Sequence, residues 1–106
     1  DKLKDVVQLI PGGLFKLNLS YFRSPGKGYV AYSDDNTPKH PNAFGNKAEA
    51  TFGKQRLKDE PLSQYHKDLA ASVQRMAELA IFHCLDYLYQ KTNFKAVCIA
   101  GGVAQN

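Results

Sequence analysis

The chain has 106 residues, a formal charge of +4, 43% hydrophobic residues and two cysteines. The basic excess is spread thinly along the sequence, with no dense run, which argues against a nucleic-acid partner because such binding needs a clustered basic face. No run of about 20 apolar residues is present to span a bilayer, and the first residues do not form a signal peptide. We therefore expect a cytoplasmic protein without a membrane partner.

The first 32 residues contain the clearest strand signal. Residues 1–10 are typical of the tail of a helix and end at the breaker formed by residues 11–13, Pro-Gly-Gly. Residues 14–22 alternate apolar and polar side chains, which predicts a half-buried strand. Residues 29–32 are a candidate second strand, so we predict a strand or hairpin over residues 14–32.

The middle of the chain is predicted as a long loop over residues 33–61. It is polar and holds three of the five prolines, at positions 38, 41 and 61. A loop of this length inside a small domain indicates either function or disorder.

A long helix is predicted over residues 63–92. Ser63 is a typical N-cap after Pro61, and Asn93 is a C-terminal stop because asparagine tolerates left-handed geometry. Apolar side chains recur at spacings of three and four along it, and the stripe is wide enough to predict cover on more than one side. The stripe contains Leu62, Tyr65, Leu69, Val73, Met76, Ala80, Cys84 and Leu88.

Residues 95–100 form an apolar run typical of a buried strand, and residues 101–106 follow it as a Gly-Gly turn. Two interpretations fit this turn. The glycines either join a strand to a helix, or bring main-chain N–H groups close to an anion such as a nucleotide phosphate. The start at Asp1 without methionine and the end just after the turn predict a segment of a longer protein.

Several polar or reactive side chains have both a functional and a structural interpretation. Cys84 and Cys98 are predicted as small apolar core residues rather than a disulfide or a catalytic thiol. Arg56 either holds a phosphate or forms a salt bridge with a neighbouring carboxylate, and we favour the salt bridge. His66 either meets a substrate or has a structural role, in which it faces solvent or caps the helix, and we favour the structural role. Gln74 is predicted to make a buried hydrogen bond to a neighbouring strand.

Four motifs, taken in order, resemble the nodulation-type O-carbamoyltransferases, which include antibiotic- and sugar-carbamoylating enzymes. They are Phe-Gly-x-x-Arg at residues 52–56, Asp-Glu-Pro-Leu at 59–62, His-Lys-Asp-Leu-Ala-Ala-Ser-Val-Gln at 66–74, and Cys-Ile-Ala-Gly-Gly-Val-Ala-Gln-Asn at 98–106. The resemblance covers residues 50–106 well and the strand at 14–22 more loosely. Members often carry leucine where Gln105 stands.

This resemblance implies an α/β fold, as part of the ribonuclease-H-like domain of the actin, Hsp70 and sugar-kinase type. It also implies ATP-dependent transfer of a carbamoyl group from carbamoyl phosphate to a hydroxyl acceptor through a carbamoyl-adenylate. Carried over to this chain, the nucleotide would meet the main-chain N–H groups of Gly101, Gly102 and Val103 and the side chain of Asn106. The family's divalent metal would be held outside this chain, and none of the three histidines matches its motif.

Two other hypotheses are kept. A threonylcarbamoyl-adenosine transferase acting on transfer RNA carries a weaker version of the same helix and turn. Alternatively, the chain alone is a non-catalytic module that forms a homo-oligomer through an exposed strand edge and helix face. In either case, we expect the isolated chain to be inactive in carbamoyl transfer.

Overall fold

The computed structural model describes residues 2–23, 31–32, 35, 38–39 and 43–105. Helix α1 (Lys2–Val6) leads directly into strand β1 (Val7–Ile10), which pairs antiparallel with β2 (Leu14–Leu17). The Pro-Gly-Gly breaker is the turn between the two strands. Gly12 and Gly13 have φ of 88° and 70°, values that residues with a Cβ rarely adopt.

The strand predicted at the start of residues 14–32 forms a hairpin in the structure, but with a different strand from the one predicted. Strand β2 pairs with β1, which precedes it, because a three-residue turn closes at a lower entropic cost than a longer connection. The strand ends at Leu17 because the Asn18 side chain accepts from the Ser20 N–H and starts a 3₁₀ helix. Strand β3 (Ala31–Tyr32) pairs with β4 (Pro38–Lys39), and the rest of the predicted second strand lies outside the described residues.

Helix α2 (Asn46–Phe52) lies inside the predicted loop over residues 33–61. Sequence reasoning missed it because its N-cap is Gly45, which has no side chain to signal a helix start. The helix is held beside the 3₁₀ helix by the Gly45 N–H, which donates to the Tyr21 carbonyl oxygen at 2.8 Å.

Helix α3 (Gln64–Thr92) confirms the predicted long helix. Ser63 is its N-cap, and Asn93 is its C-cap in left-handed geometry with φ of 55°. The Asn93 N–H donates to the Tyr89 carbonyl oxygen at 2.7 Å. At about 1.5 Å per residue the 29-residue helix is roughly 44 Å long, which makes it the longest element among the described residues.

The core is small. Val6, Tyr21 and Ala48 are its buried residues, and they bring α1, the 3₁₀ helix and α2 together. On α3 only Met76 is buried, so the predicted cover on more than one side of this helix is absent among the described residues. The described residues thus form a small α/β arrangement with two antiparallel pairs of strands, two short α-helices, one long α-helix and two 3₁₀ helices.

Helix α3 is attached to the hairpin near the turn. The His83 Nε2 atom donates to the Ile10 carbonyl oxygen at 2.7 Å, and Gly13 packs directly against the Tyr87 side chain. A Cβ placed on Gly13 would lie 2.5 Å from the Tyr87 Cβ, so this approach requires glycine.

Candidate functional site

The predicted Gly-Gly turn is an open, exposed bend. Gly101 has φ of 105°, and its carbonyl oxygen accepts from the Ala104 N–H at 3.1 Å to begin a 3₁₀ helix (Gly102–Gln105). Apart from the adjacent residues in the chain, no atom lies within 4 Å of the Cβ position of either Gly101 or Gly102. The main chain here is therefore open to approach from outside, as the anion-binding interpretation of the turn requires.

Three of the four predicted nucleotide-binding residues can be placed. Gly101, Gly102 and Val103 are consecutive and exposed, and the Val103 side chain is 68% exposed. Asn106 lies outside the described residues.

The segment before the turn differs from its prediction as a buried strand over residues 95–100. Residues 93–100 belong to no helix or strand and are exposed throughout. A strand exists only when a neighbouring strand takes up its N–H and C=O groups, and none of the described strands does so. For the same reason Cys98 is exposed rather than buried, and its predicted core position is wrong.

An apolar groove of about 1190 Å³ runs along α3 and is open to solvent. Residues 97–100 and Val103 line it next to the Gly-Gly turn, and the core elements line its other side. The α3 stripe contributes Leu69, Val73, Met76, Ala80, Cys84 and Leu88. Most of the residues that sequence periodicity predicted as a buried stripe thus line one solvent-open apolar groove, and Met76 is the one of them that is buried.

A polar cluster, which sequence reasoning missed, joins α1, the 3₁₀ helix and α2. The Tyr21 hydroxyl donates to the Asp5 Oδ2 atom at 2.7 Å, and the Lys47 Nζ atom donates to the same oxygen at 3.2 Å. The Lys47 ammonium also lies 4.2 Å from the centre of the Tyr21 ring. These contacts, with the tyrosine hydroxyl first, hold the pKa of the Asp5 carboxyl below its ordinary value of 3.8.

Ser20 and Lys47 in this cluster resemble a nucleophile and its base, but their chemistry is unsuitable. The Lys47 Nζ atom lies 3.2 Å from the Ser20 hydroxyl oxygen. The hydrogen bond to Asp5 raises the pKa of Lys47 above its ordinary value of 10.5, so the amine stays protonated and cannot accept a proton. The Ser20 hydroxyl donates instead to the Asn18 Oδ1 atom at 2.6 Å. The cluster therefore holds elements together.

Arg56 and His66 line a polar cavity of about 400 Å³ between α2 and the start of α3. Arg56 was predicted to pair with a neighbouring carboxylate, but its guanidinium donates to the carbonyl oxygens of Lys58 and Glu60 and closes the loop onto itself. The Glu60 carboxylate instead accepts from the Leu57 N–H at 2.8 Å. Both of these hydrogen bonds join the Arg56 guanidinium to the main chain of its own loop.

His66 caps the helix, which is one of the two structural roles that we favoured for it. It is the third residue of α3, and its Nδ1 atom accepts from the Ser63 N–H at 3.1 Å. The Ser63 hydroxyl oxygen lies 3.0 Å from the same nitrogen. Glutamate or glutamine usually fills this place in a capping box, so a histidine here was not obvious from the sequence.

Gln74 is exposed, so its predicted burial is wrong. Its Nε2 atom donates to the Glu78 Oε1 atom on the same helix at 3.3 Å. Among the described residues, no group of three or more histidine, cysteine, aspartate or glutamate side chains is placed to hold a metal ion. In the same part of the chain, no helix has the length and apolar character needed to cross a membrane.

Comparisons with known proteins agree with the motifs. The chain is 29% identical over 104 residues to an uncharacterized protein of Synechocystis sp.. This match covers 98% of the chain and 15% of the length of that protein. Over 51 residues it is 45% identical to the nodulation protein NolNO of Sinorhizobium fredii and 41% identical to the nodulation protein NolO of Bradyrhizobium diazoefficiens. Each of these two matches takes in 48% of this chain, and 8% and 9% of the respective relative.

The chain therefore spans less than a sixth of the length of these relatives. No solved structure matches it. Residues 9–106, nearly all of the sequence, match the family described as the carbamoyltransferase N-terminus. From the motifs, the relatives and this match, we conclude that the chain belongs to the carbamoyltransferase N-terminus family.

Proposed function

We propose that this chain forms part of the catalytic domain of an ATP-dependent carbamoyltransferase. The complete enzyme would transfer a carbamoyl group from carbamoyl phosphate to a hydroxyl acceptor through a carbamoyl-adenylate. The observation that carries the proposal is the family match over residues 9–106, which includes both the long helix and the Gly-Gly turn.

In this proposal the turn is the contribution of this chain to the nucleotide site. The main-chain N–H groups of Gly101, Gly102 and Val103 would face the adenylate, and Asn106 would hydrogen-bond its ribose or phosphate. The open space around both glycines supports this role, because a phosphate can reach the main chain only where no side chain blocks it. The turn would act by holding negative charge in place, without moving a proton.

The finer part of the fold proposal is a ribonuclease-H-like domain of the actin, Hsp70 and sugar-kinase type. This fold type rests on the resemblance of the motifs, and the apolar groove supports only the part of the proposal in which further chain covers α3. In the complete enzyme, residues 95–100 would pair with further strands and cover the α3 stripe. The divalent metal would be held by residues outside this chain.

The test is carbamoyl-phosphate-dependent release of pyrophosphate from ATP by the complete enzyme, since forming a carbamoyl-adenylate from ATP releases pyrophosphate. Transfer of labelled carbamoyl to a panel of small hydroxyl compounds would then identify the acceptor class. Transfer of a threonylcarbamoyl group from threonylcarbamoyl-adenylate to adenosine in transfer RNA, with no transfer of carbamoyl to the hydroxyl compounds, would select the threonylcarbamoyl alternative. An enzyme that consumes no ATP in the presence of carbamoyl phosphate would refute the proposal.

Alanine variants of the two glycines test the site itself. We expect Gly101→Ala and Gly102→Ala to raise the KM for ATP by about tenfold, which corresponds to ~1.4 kcal/mol of lost binding. Gly102 lacks the positive φ of Gly101, so its loss of binding cannot be ascribed to backbone strain. Gly12→Ala is the matched control, because Gly12 has φ of 88° and equally open surroundings but belongs to none of the four motifs and does not line the groove beside the turn. An unchanged KM in both turn variants would contradict the assignment.

A further inference from the structure

Both cysteines of the chain line the groove along α3. Cys84 is partly buried on the helix, Cys98 is exposed in the unpaired run before the Gly-Gly turn, and both are free thiols. The sequence has no other cysteine, so each thiol has one partner of its own kind within the chain. Because the groove is open to solvent, a small reagent can reach both thiols.

The C-cap of α3 turns the chain back towards Cys84. Asn93 adopts left-handed geometry with φ of 55°, and the next residue, Phe94, donates its N–H to the Thr92 hydroxyl oxygen at 3.3 Å. Residues 97–100 then line the groove together with residues of α3 that precede the cap. The chain therefore returns alongside the helix after Asn93.

The length of the returning chain matches the position of Cys84. Cys84 lies nine positions before Asn93, which places it about 14 Å back along the helix axis at ~1.5 Å per residue. Cys98 lies five positions after Asn93, and five extended residues reach about 17 Å at ~3.3 Å each. Cys98 can therefore come level with Cys84, because the reach of the chain exceeds the distance along the helix.

Residues 94–98, here called the strap, are free of strand pairing in the described part of the chain. They belong to no helix or strand, and none of the described strands pairs with them. Closing the strap onto α3 therefore breaks no strand pair. Closure also buries apolar surface of the groove, which lowers the free energy of the chain in water.

From this arrangement we infer that the strap is a redox-sensitive switch. A disulfide between Cys84 and Cys98 holds the strap on α3, with the two Cα atoms ~4.4–6.8 Å apart, and reduction of the disulfide releases it. The Gly-Gly turn begins three residues after Cys98, so the disulfide also holds the start of the turn beside the helix. A consequence for nucleotide binding rests on the proposed function, whereas the switch itself does not.

A small disulfide such as oxidised glutathione supplies the oxidant. The Cys98 thiolate attacks one glutathione sulfur, so a mixed disulfide forms and the first glutathione leaves as a thiolate. The Cys84 thiolate then attacks the Cys98 sulfur, which forms the internal disulfide and expels the second glutathione. The two cysteine protons end on the two glutathione thiols, so the cysteines are oxidised and the glutathione is reduced.

The experiment measures the equilibrium between the two cysteines and glutathione in the 106-residue chain, without ATP. Mass spectrometry of peptides from acid-quenched samples identifies the Cys84–Cys98 disulfide. The matched control is the same chain in urea, where the loop between the cysteines has the same length but the groove is lost. We expect the effective concentration of one thiol towards the other to be about tenfold higher in the folded chain, which corresponds to ~30 mV in reduction potential.

Two variants of the cap test whether its geometry brings the cysteines together. Asn93→Gly keeps the left-handed geometry and should leave the effective concentration unchanged, whereas Asn93→Val disfavours that geometry and should lower it about fivefold. A value that is independent of protein concentration identifies the disulfide as internal.

Three results would overturn the inference. They are an effective concentration as low in the folded chain as in urea, equal values in the two cap variants, and a disulfide found only between two chains. Because no nucleotide takes part, each of these results is distinct from a failure of the proposed function.

Discussion

Tyr21 is only 3% exposed, yet its hydroxyl donates a hydrogen bond to the charged Asp5 carboxylate at the edge of the core. Asp5, Tyr21 and Lys47 come from three different elements, separated by 16 and 42 residues from Asp5 in sequence. No local pattern marks such a cluster, since each residue alone is ordinary for its position. At this scale sequence reasoning predicted caps and turns, which depend on neighbours, and missed contacts between distant residues.

The lowered pKa of Asp5 predicts a loss of stability in acid. Because the carboxyl titrates at a lower pH when folded than when unfolded, its contribution is complete above the ordinary value of 3.8 and disappears as the pH falls through the folded value. We expect Tyr21→Phe, which removes only the hydroxyl, to move the Asp5 pKa upward and to weaken the acid dependence of the urea midpoint.

Asp5→Asn supplies the control for this experiment. It removes the titrating group, so the part of the acid dependence that belongs to this cluster should disappear. In the double variant, the loss of the hydroxyl should add little further change to the acid dependence. An Asp5 titration, followed by carboxyl ¹³C shifts, that is identical in the native chain and in Tyr21→Phe would contradict the assignment.

At the scale of elements, the contact between the hairpin turn and α3 determines how the fold is assembled. Gly12 and Gly13 are adjacent and both have positive φ, but only Gly13 meets another element, at Tyr87. This difference allows the cost of backbone strain to be separated from the cost of lost helix docking.

We expect Gly12→Ala to lower the free energy of unfolding by about 1 kcal/mol through backbone strain alone. Gly13→Ala should lower it by about 3 kcal/mol, because strain adds to overpacking against Tyr87. Urea denaturation of the two variants measures both values. Equal losses would show that the close approach of Gly13 to α3 contributes nothing to stability.

The elements predicted well are those whose signals are local. Ser63, the apolar spacing and Asn93 were sufficient to predict α3 almost to the residue. Helix α2 was missed because its start is a glycine, and the strand over residues 95–100 did not form because a strand needs a partner from elsewhere. Of the candidate site, the open Gly-Gly bend was predictable from composition, whereas the polar cavity and the groove depend on tertiary packing.

At the scale of the whole molecule, the described elements bury little. The radius of gyration is 17.5 Å, against about 13 Å for a compact chain of 100 residues. Large apolar side chains such as Val73 and Leu88 are half exposed along the groove. Association that buries such an apolar surface lowers the free energy of the chain in water.

We therefore expect the 106-residue chain alone to self-associate and to show no carbamoyl transfer. Sedimentation velocity should show larger species whose fraction rises with concentration. Val73→Lys, which places a charge in the groove, should shift the distribution towards monomer. Gln90→Lys, on an exposed position of α3 that does not line the groove, should leave it unchanged. A native chain that sediments as a monomer at high concentration would contradict this expectation.

The unpaired run at residues 97–100 has a consequence for biosynthesis. Its Val-Cys-Ile-Ala sequence is uncharged, β-prone and accessible along its whole length, which are the properties of a segment that adds to any free strand edge. Ribosomes add about 5 to 20 residues per second. Under the proposal that further strands cover this run in the complete protein, residues 97–100 are exposed during synthesis until those strands emerge. Chaperones that bind the run in that interval would then raise the yield of folded protein.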